Sequence, residues 1–467
     1  MSYDYLIRNC RWPDFEAGCF QNGDVAVTKS RIAAVSGHLT GDTKQVIEAN
    51  GRILSPGFID IHMHEENFAA DGKQLFISKQ MSRMGVTTCV GGNCGVSRQP
   101  LEAFKSALGE LGTPVNYLML TGYNRARRKA GGTRYGAVSM GQAKQIEQML
   151  REDLAEGAIG ISFGIEYDPG MTTGEIVDIL RRFPDGGLMV SIHYRDDASN
   201  SLKSIREMRE IARESRKRVQ ISHLSSCAAM GQMKEALALI DEGMAAGEDI
   251  NFDTYPYDAF QTPLGSAVYN DDCFEHLNIG YSDVMVSSGE FKGQRCDKEL
   301  FERLRKEQPD TQAVCFAMWE SDIALAVAHS GGMIGSDGSL VSGAGHPRAA
   351  GTFPRVLGLY VRERRQISLL EALRKMTVRP ARRLGLSKKG AIAEGMDADL
   401  TLFDPETVMD RADFTQSSLP PVGIDWVFVS GIPTVAEGTE SGAHPGRFIP
   451  YAETDFGAHT GSANILK

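Results

Sequence analysis

From about residue 57 the sequence alternates a short apolar strand with a longer helical stretch. The strands read GFIDIHMH (57–64), GVTTCVGG (85–92), PVNYLMLTG (114–122), GAIGISF (157–163), GLMVSIHY (187–194), RVQISHL (218–224), DINFDTY (249–255) and GGMIGSDG (331–338). Helical segments such as MGQAKQIEQMLREDLAEG (140–157), SLKSIREMREIARESRKR (201–218) and MGQMKEALALIDEGMAAG (230–247) lie between them. In the last, Met233, Ala236, Leu237 and Ile240 recur on one helical face. Strands that alternate with helices run parallel, each crossover carrying a helix. Eight of them predict a closed (β/α)8, TIM-like barrel of the α/β class. About 75 residues separate strands seven and eight, too many for a bare loop, so an insertion near 258–312 has structure of its own.

The two chain ends have another texture. Runs such as DVAVTKSRIAAVS, ADLTLFDP and WVFVSGIPTVAEG are alternating or β-branched, with glycine turns between them. Neither end is large enough for a core of its own. Residues 1–56 and 385–449 are therefore expected to meet as one small discontinuous β-sandwich beside a barrel at 57–384, with a polar tail at 450–467. A length of 467 residues has room for that arrangement. No run approaches the roughly 18 apolar residues that span a bilayer, and MSYDYLIRNC lacks the basic and apolar regions of an export signal. A net charge of -10, with no dominant Lys/Arg block, argues against a nucleic-acid partner. Eight scattered cysteines without a CxxC pair read as reduced thiols. The expectation is a cytoplasmic protein with a small-molecule partner, no membrane or nucleic-acid partner, and compatibility with a homo-oligomer.

In such a barrel, side chains at the C-terminal strand ends converge on one mouth, where sites form. Read in order, those ends supply His62 and His64, Cys94, His193, His223 and Asp337. Four of the chain's ten histidines fall there, which packing alone explains poorly. The i, i+2 spacing of His62 and His64 puts both imidazoles on one face of a strand. Imidazole and thiolate together suit zinc. Six candidate groups exceed the four of a closed structural site, so the site is expected to be open, with one or two ions and a water. No lysine lies between Lys144 and Lys203, so a carboxylated lysine at strand four cannot bridge two ions, and Cys94 is the substitute. Asp337, facing such a site, suits the general base that takes a proton from water and returns it to a leaving group.

The motifs SPGFIDIHMHEE, GVTTCVGGNCGVS, GAIGISFGIEYDPG, SIHYRDDA, QISHLSSCAAMG, DTYPYDA, MIGSDGSL, HPRAAGTFPRVLGLYVRE and GAIAEGMDADLTLFDP span most of the chain. Together they resemble the N-acyl-D-amino-acid deacylases (D-aminoacylases) of the amidohydrolase superfamily. The resemblance implies a barrel with a small β-domain and zinc-dependent hydrolysis of a linear amide to a carboxylate and a free D-amino acid. It also implies metal roles for His62, His64, Cys94, His193 and His223, and acid/base work for Asp337. Tyr167 and Tyr255 match family tyrosines that line the substrate pocket. One position departs: the family's His-His-Lys after strand six is His223-Leu224-Ser225 here. Ser225 can hydrogen-bond a substrate carboxylate but cannot neutralise it. Losing that charge-assisted contact costs about 1.5–3 kcal/mol. Either another cation serves, with Arg348, Arg195 and Arg355 as candidates, or the substrate lacks the carboxylate. The second case leaves a cyclic amide, as in hydantoinases or dihydropyrimidinases, as the alternative. Glu65 and Glu66, after the histidine pair, are candidates for holding an imidazole or for a solvated rim.

Overall fold

The computed structural model describes residues 2–184, 187–270, 272–341 and 343–456; of the expected tail, 457–467 lie outside the described residues. Eight strands stand side by side in chain order: β1 (Phe58–Asp60), β2 (Val86–Gly91), β3 (Asn116–Gly122), β4 (Gly160–Gly164), β5 (Met189–His193), β6 (Arg218–Ile221), β7 (Ile250–Thr254) and β8 (Met333–Ile334). All neighbouring pairs are parallel. The ring closes just past β1 and β8, where the His64 N–H donates to the Gly338 carbonyl at 2.9 Å and the Asp337 N–H to that of His62 at 2.7 Å. Every residue of β2, β3, β4 and β5 is buried. Helices cover the outer face and side chains fill the inner one, so these strands read as continuous rather than alternating apolar runs.

The helices follow their sequence signals. Met140–Ala155 opens on a capping box made by Ser139 and Gln142. Met233–Ala245 buries Met233, Ala236, Leu237 and Ile240, the face the spacing marks. The insertion is a three-stranded antiparallel sheet with Gln312–Cys315 between Phe260–Pro263 and Val284–Val286. Helix Lys298–Glu307, capped by Asp297, packs Leu300, Phe301 and Leu304 against the core. The insertion is tied to the loop after β5 by His276, whose Nε2 lies 2.8 Å from Asp197 Oδ1.

Strands from both chain ends form one nine-stranded mixed sheet. Ile53–Pro56 pairs antiparallel with Leu400–Phe403 at the seam, and Ile7, Val25, Leu54, Leu400 and Phe428 share one core. Residues 443–451 leave this sheet and dock on the N-terminal face of the barrel. There the Tyr117 N–H donates to the Arg447 carbonyl at 2.9 Å, and the Tyr451 N–H to that of Gly157 at 2.9 Å. The sequence places 443–449 with the β unit; burial of Ile449 against the barrel core draws them away. No helix among the described residues is long and apolar enough to cross a membrane.

Candidate metal centre

The strands stop short of the chemistry, and the turns after them aim it. β1 ends at Asp60, with His62 and His64 beyond it. After β2, Gly92 has φ 74°, and a Cβ there would meet the Leu120 carbonyl oxygen at 2.1 Å, so glycine alone fits. Cys94, His223 and Asp337 themselves adopt left-handed backbone, φ 55°, 33° and 49°. For residues with a Cβ this conformation is uncommon, and it clusters where a site demands it.

The six strand-end residues meet at one point. Cys94 Sγ lies 3.4 Å from His62 Nε2 and 3.4 Å from His223 Nε2. Asp337 Oδ1 is 3.5 Å from His62 Nε2 and 3.1 Å from His64 Nε2. His193 Nδ1 is 3.0 Å from His223 Nε2. The donor atoms of His62, Cys94, His223 and Asp337 all lie within 4.8 Å of one another, and all four residues are buried. Donors about 2.0–2.3 Å from a tetrahedral zinc ion stand roughly 3.3–3.8 Å apart. The thiol and its two imidazoles have that spacing.

Each of the three inner imidazoles has a protein oxygen near its other nitrogen, for His62 an ion-pair approach without an aligned hydrogen bond. Asp253, on β7, puts Oδ1 3.2 Å from His62 Nδ1 and accepts the His223 backbone N–H at 2.8 Å. Glu166 Oε2 is 2.7 Å from His193 Nε2, and Ser226 Oγ is 2.8 Å from His223 Nδ1. Such contacts fix the ring so that one chosen nitrogen faces the centre. Sequence reasoning missed Asp253 and Glu166, although both follow or end barrel strands inside quoted motifs, DTYPYDA and GIEYDPG. Glu65 and Glu66 do something else. Glu65 accepts the Gly92 and Arg98 N–H groups at 2.8 and 2.7 Å, bracing the Cys94 turn. Glu66 accepts the Ile77 and Ser78 N–H groups at the start of a helix.

Burial alone would push the Cys94 thiol up, but the neighbouring His62 and His223 hold it well below its ordinary value. Burial would likewise raise Asp337; the Arg348 guanidinium, 2.8 Å away, and His223 hold it well below the usual carboxylate range. Thiolate and carboxylate are thus both favoured, the forms that bind metal or accept protons.

Above the cluster opens a cavity of about 450 Å³, lined by His64, Tyr167, Asp337 and Arg348 and roofed by insertion residues such as Thr262 and Gln312. The Tyr167 ring lies 4.4 Å from that of His193, and Arg348 sits 4.7 Å above the Tyr255 ring. Ser225 is buried behind them, its hydroxyl donating to the Tyr255 carbonyl at 3.4 Å. Arg195 is spent elsewhere, on Glu207 at 2.7 Å and on the Pro169 and Met171 carbonyls. Arg355 pairs with Asp410 at 3.2 Å. Of the three candidate cations, Arg348 is the one that faces the cavity.

The model of the amidohydrolase family matches residues 45–318 and 302–435 of the chain. The chain belongs to the amidohydrolase family. This amidohydrolase is 32% identical over 464 residues to a D-aminoacylase of Alcaligenes xylosoxydans xylosoxydans, covering 92% of this chain and 94% of the relative. A crystal structure of D-aminoacylase superposes with a TM-score of 0.87 at 30% identity, covering 96% of this chain and 100% of the other. N-acyl-D-glutamate deacylase from Bordetella bronchiseptica, complexed with zinc and a phosphonate inhibitor, gives 0.84 at 28% identity with the same coverage. The resemblance read from the motifs holds, and with it the enzyme class: a metal-dependent hydrolase of C–N bonds other than peptide bonds.

Proposed function

We propose that this amidohydrolase deacylates N-acyl-D-amino acids, splitting a linear amide into a carboxylate and a free D-amino acid. The observation that carries the reading is the buried cluster of imidazoles, thiol and Asp337 beneath a cavity that also presents Arg348. The donor chemistry fits zinc, one or two ions, which His62, His64, Cys94, His193 and His223 would hold. Zinc bound there supplies Lewis-acid polarisation of the amide carbonyl and a water acidic enough to react near neutral pH.

Asp337, favoured as the carboxylate, accepts the proton of the attacking water. Arg348 answers the substrate carboxylate in a chain where Ser225 stands in place of the family lysine, and Tyr255 and Tyr167 shape the space around it. A carboxylate seated on Arg348 draws that charge away from Asp337, whose affinity for its proton rises. The proton then passes to the departing nitrogen. We assign this chemistry to the barrel, 57–384 with its insertion near 258–312, and a supporting role to the β unit built from both chain ends. The enzyme acts on its small-molecule substrate in the cytoplasm.

The test is a panel of N-acetyl-D-amino acids, their L-enantiomers, hydantoin and dihydrouracil, offered to the zinc-loaded protein. Turnover of the D-series is expected. Asp337→Asn lowers it by about 10²–10⁴-fold while metal content stays. Turnover of the cyclic amides alone would overturn the reading.

A further inference from the structure

Four arginines line the cavity, and the deacylation above uses one of them. Arg348 faces Asp337. Arg128 is exposed and 3.2 Å from Asp168. Arg134 is exposed and donates to the Gly265 carbonyl of the insertion at 3.0 Å. Arg98 differs from all three. It is half-buried, on the turn that carries Cys94, and its guanidinium donates to Ser339 Oγ at 2.6 Å. Among the described residues no carboxylate forms an ion pair with it. Glu66 feels its charge, but the Glu66 oxygens are engaged by the Phe76, Ile77 and Ser78 N–H groups.

Position decides what that charge reads. Ser339 lies two residues past Asp337, so Arg98 and Arg348 grip the same turn from two sides. Asp337 serves the leaving nitrogen, and the amine half of the substrate therefore lies against this turn. The α-carboxylate of that half occupies Arg348. A second, partly desolvated guanidinium gains a charge-assisted bond only if the amine half carries another anion.

We propose that Arg98 is a specificity-determining residue that selects N-acyl amino acids whose side chain bears a carboxylate, so that the preferred substrate is a dianion. The inference rests on the deacylase reading above. It is tested by kcat/KM of the zinc-loaded wild type, Arg98→Gln and Arg98→Lys on N-acetyl-D-glutamate, N-acetyl-D-aspartate, N-acetyl-D-methionine and N-succinyl-D-methionine. The wild type is expected to favour an acidic side chain over methionine. Arg98→Gln lowers that acidic-to-methionine ratio by about 10- to 150-fold, the span of one charge-assisted hydrogen bond, and Arg98→Lys restores part of it. A loss shared equally by acidic and methionine substrates makes Arg98 a structural brace of the Ser339 turn and overturns the proposal. So does a wild-type preference for methionine. A loss concentrated on the succinyl substrate places the second anion on the acyl half, and also overturns it. Hydrolysis of cyclic amides with no linear amide turned over removes the deacylase reading itself, and this inference with it.

Discussion

Asp253 serves two histidines at once, through its carboxylate against His62 Nδ1 and through the backbone N–H of His223. It fixes a ring and a turn together, so its charge is coupled to the geometry of both. Asp253→Asn keeps the shape and an acceptor oxygen but removes the charge. The expected outcome is a 10–100-fold loss of zinc affinity, measured by competition against a chelator, with the circular dichroism spectrum of the wild type. An unchanged affinity would show that His62 needs no anionic partner. The six strand-end groups were legible in the sequence because histidine and cysteine are scarce and the strand ends are readable. Asp253 and Glu166 were not: the chain has 60 acidic residues, and a carboxylate at a strand end looks like any turn acid until its partner is known. Arg98 was hidden for a similar reason, since its partner Ser339 is 241 residues away.

Elements were legible through periodicity, and their ends were not. All eight expected strands form, yet β1 stops before His62 and β6 before His223, because the turns that aim these groups abandon extended backbone. The insertion announced itself by length alone; its three strands are short and paired across long sequence gaps, which no local pattern reveals. Its tie to the barrel offers a measurable handle. His276 is raised above its ordinary value first by its hydrogen bond to Asp197, against partial burial, with Asp272 and Asp196 adding in the same sense. A raised folded value means the contact is fully stabilising below the unfolded value near 6.5. That stability fades as pH climbs through the folded value. The melting temperature of the wild type minus that of His276→Gln is therefore expected to be largest below about pH 6.5 and to shrink above it. A difference that stays flat with pH would mean the imidazole contributes by packing and not by charge.

The whole molecule is closed from both ends. Residues 2–56 and 400–440 share one sheet at the seam of Ile53–Pro56 and Leu400–Phe403, a pairing the matching β-rich texture of the two ends made legible. The return of 443–451 to the barrel floor was not, because GAHPGRFIP carries no periodicity and its register is set by open backbone groups at Thr113, Tyr117 and Gly157. Those groups lie at or just before the starts of β3 and β4, on the N-terminal face of the barrel. Ile449 is buried in the barrel core at 3% exposure, whereas Ile432, on the mixed sheet, is 49% exposed. Ile449→Ala should cost about 2–5 kcal/mol of unfolding free energy in urea, and Ile432→Ala no more than about 0.5 kcal/mol. The floor faces away from the mouth, so turnover per folded molecule should be unaffected by either change. Equal losses from the two variants would mean that the returning segment rests on the barrel without holding it, and that the β unit alone fastens the chain ends together.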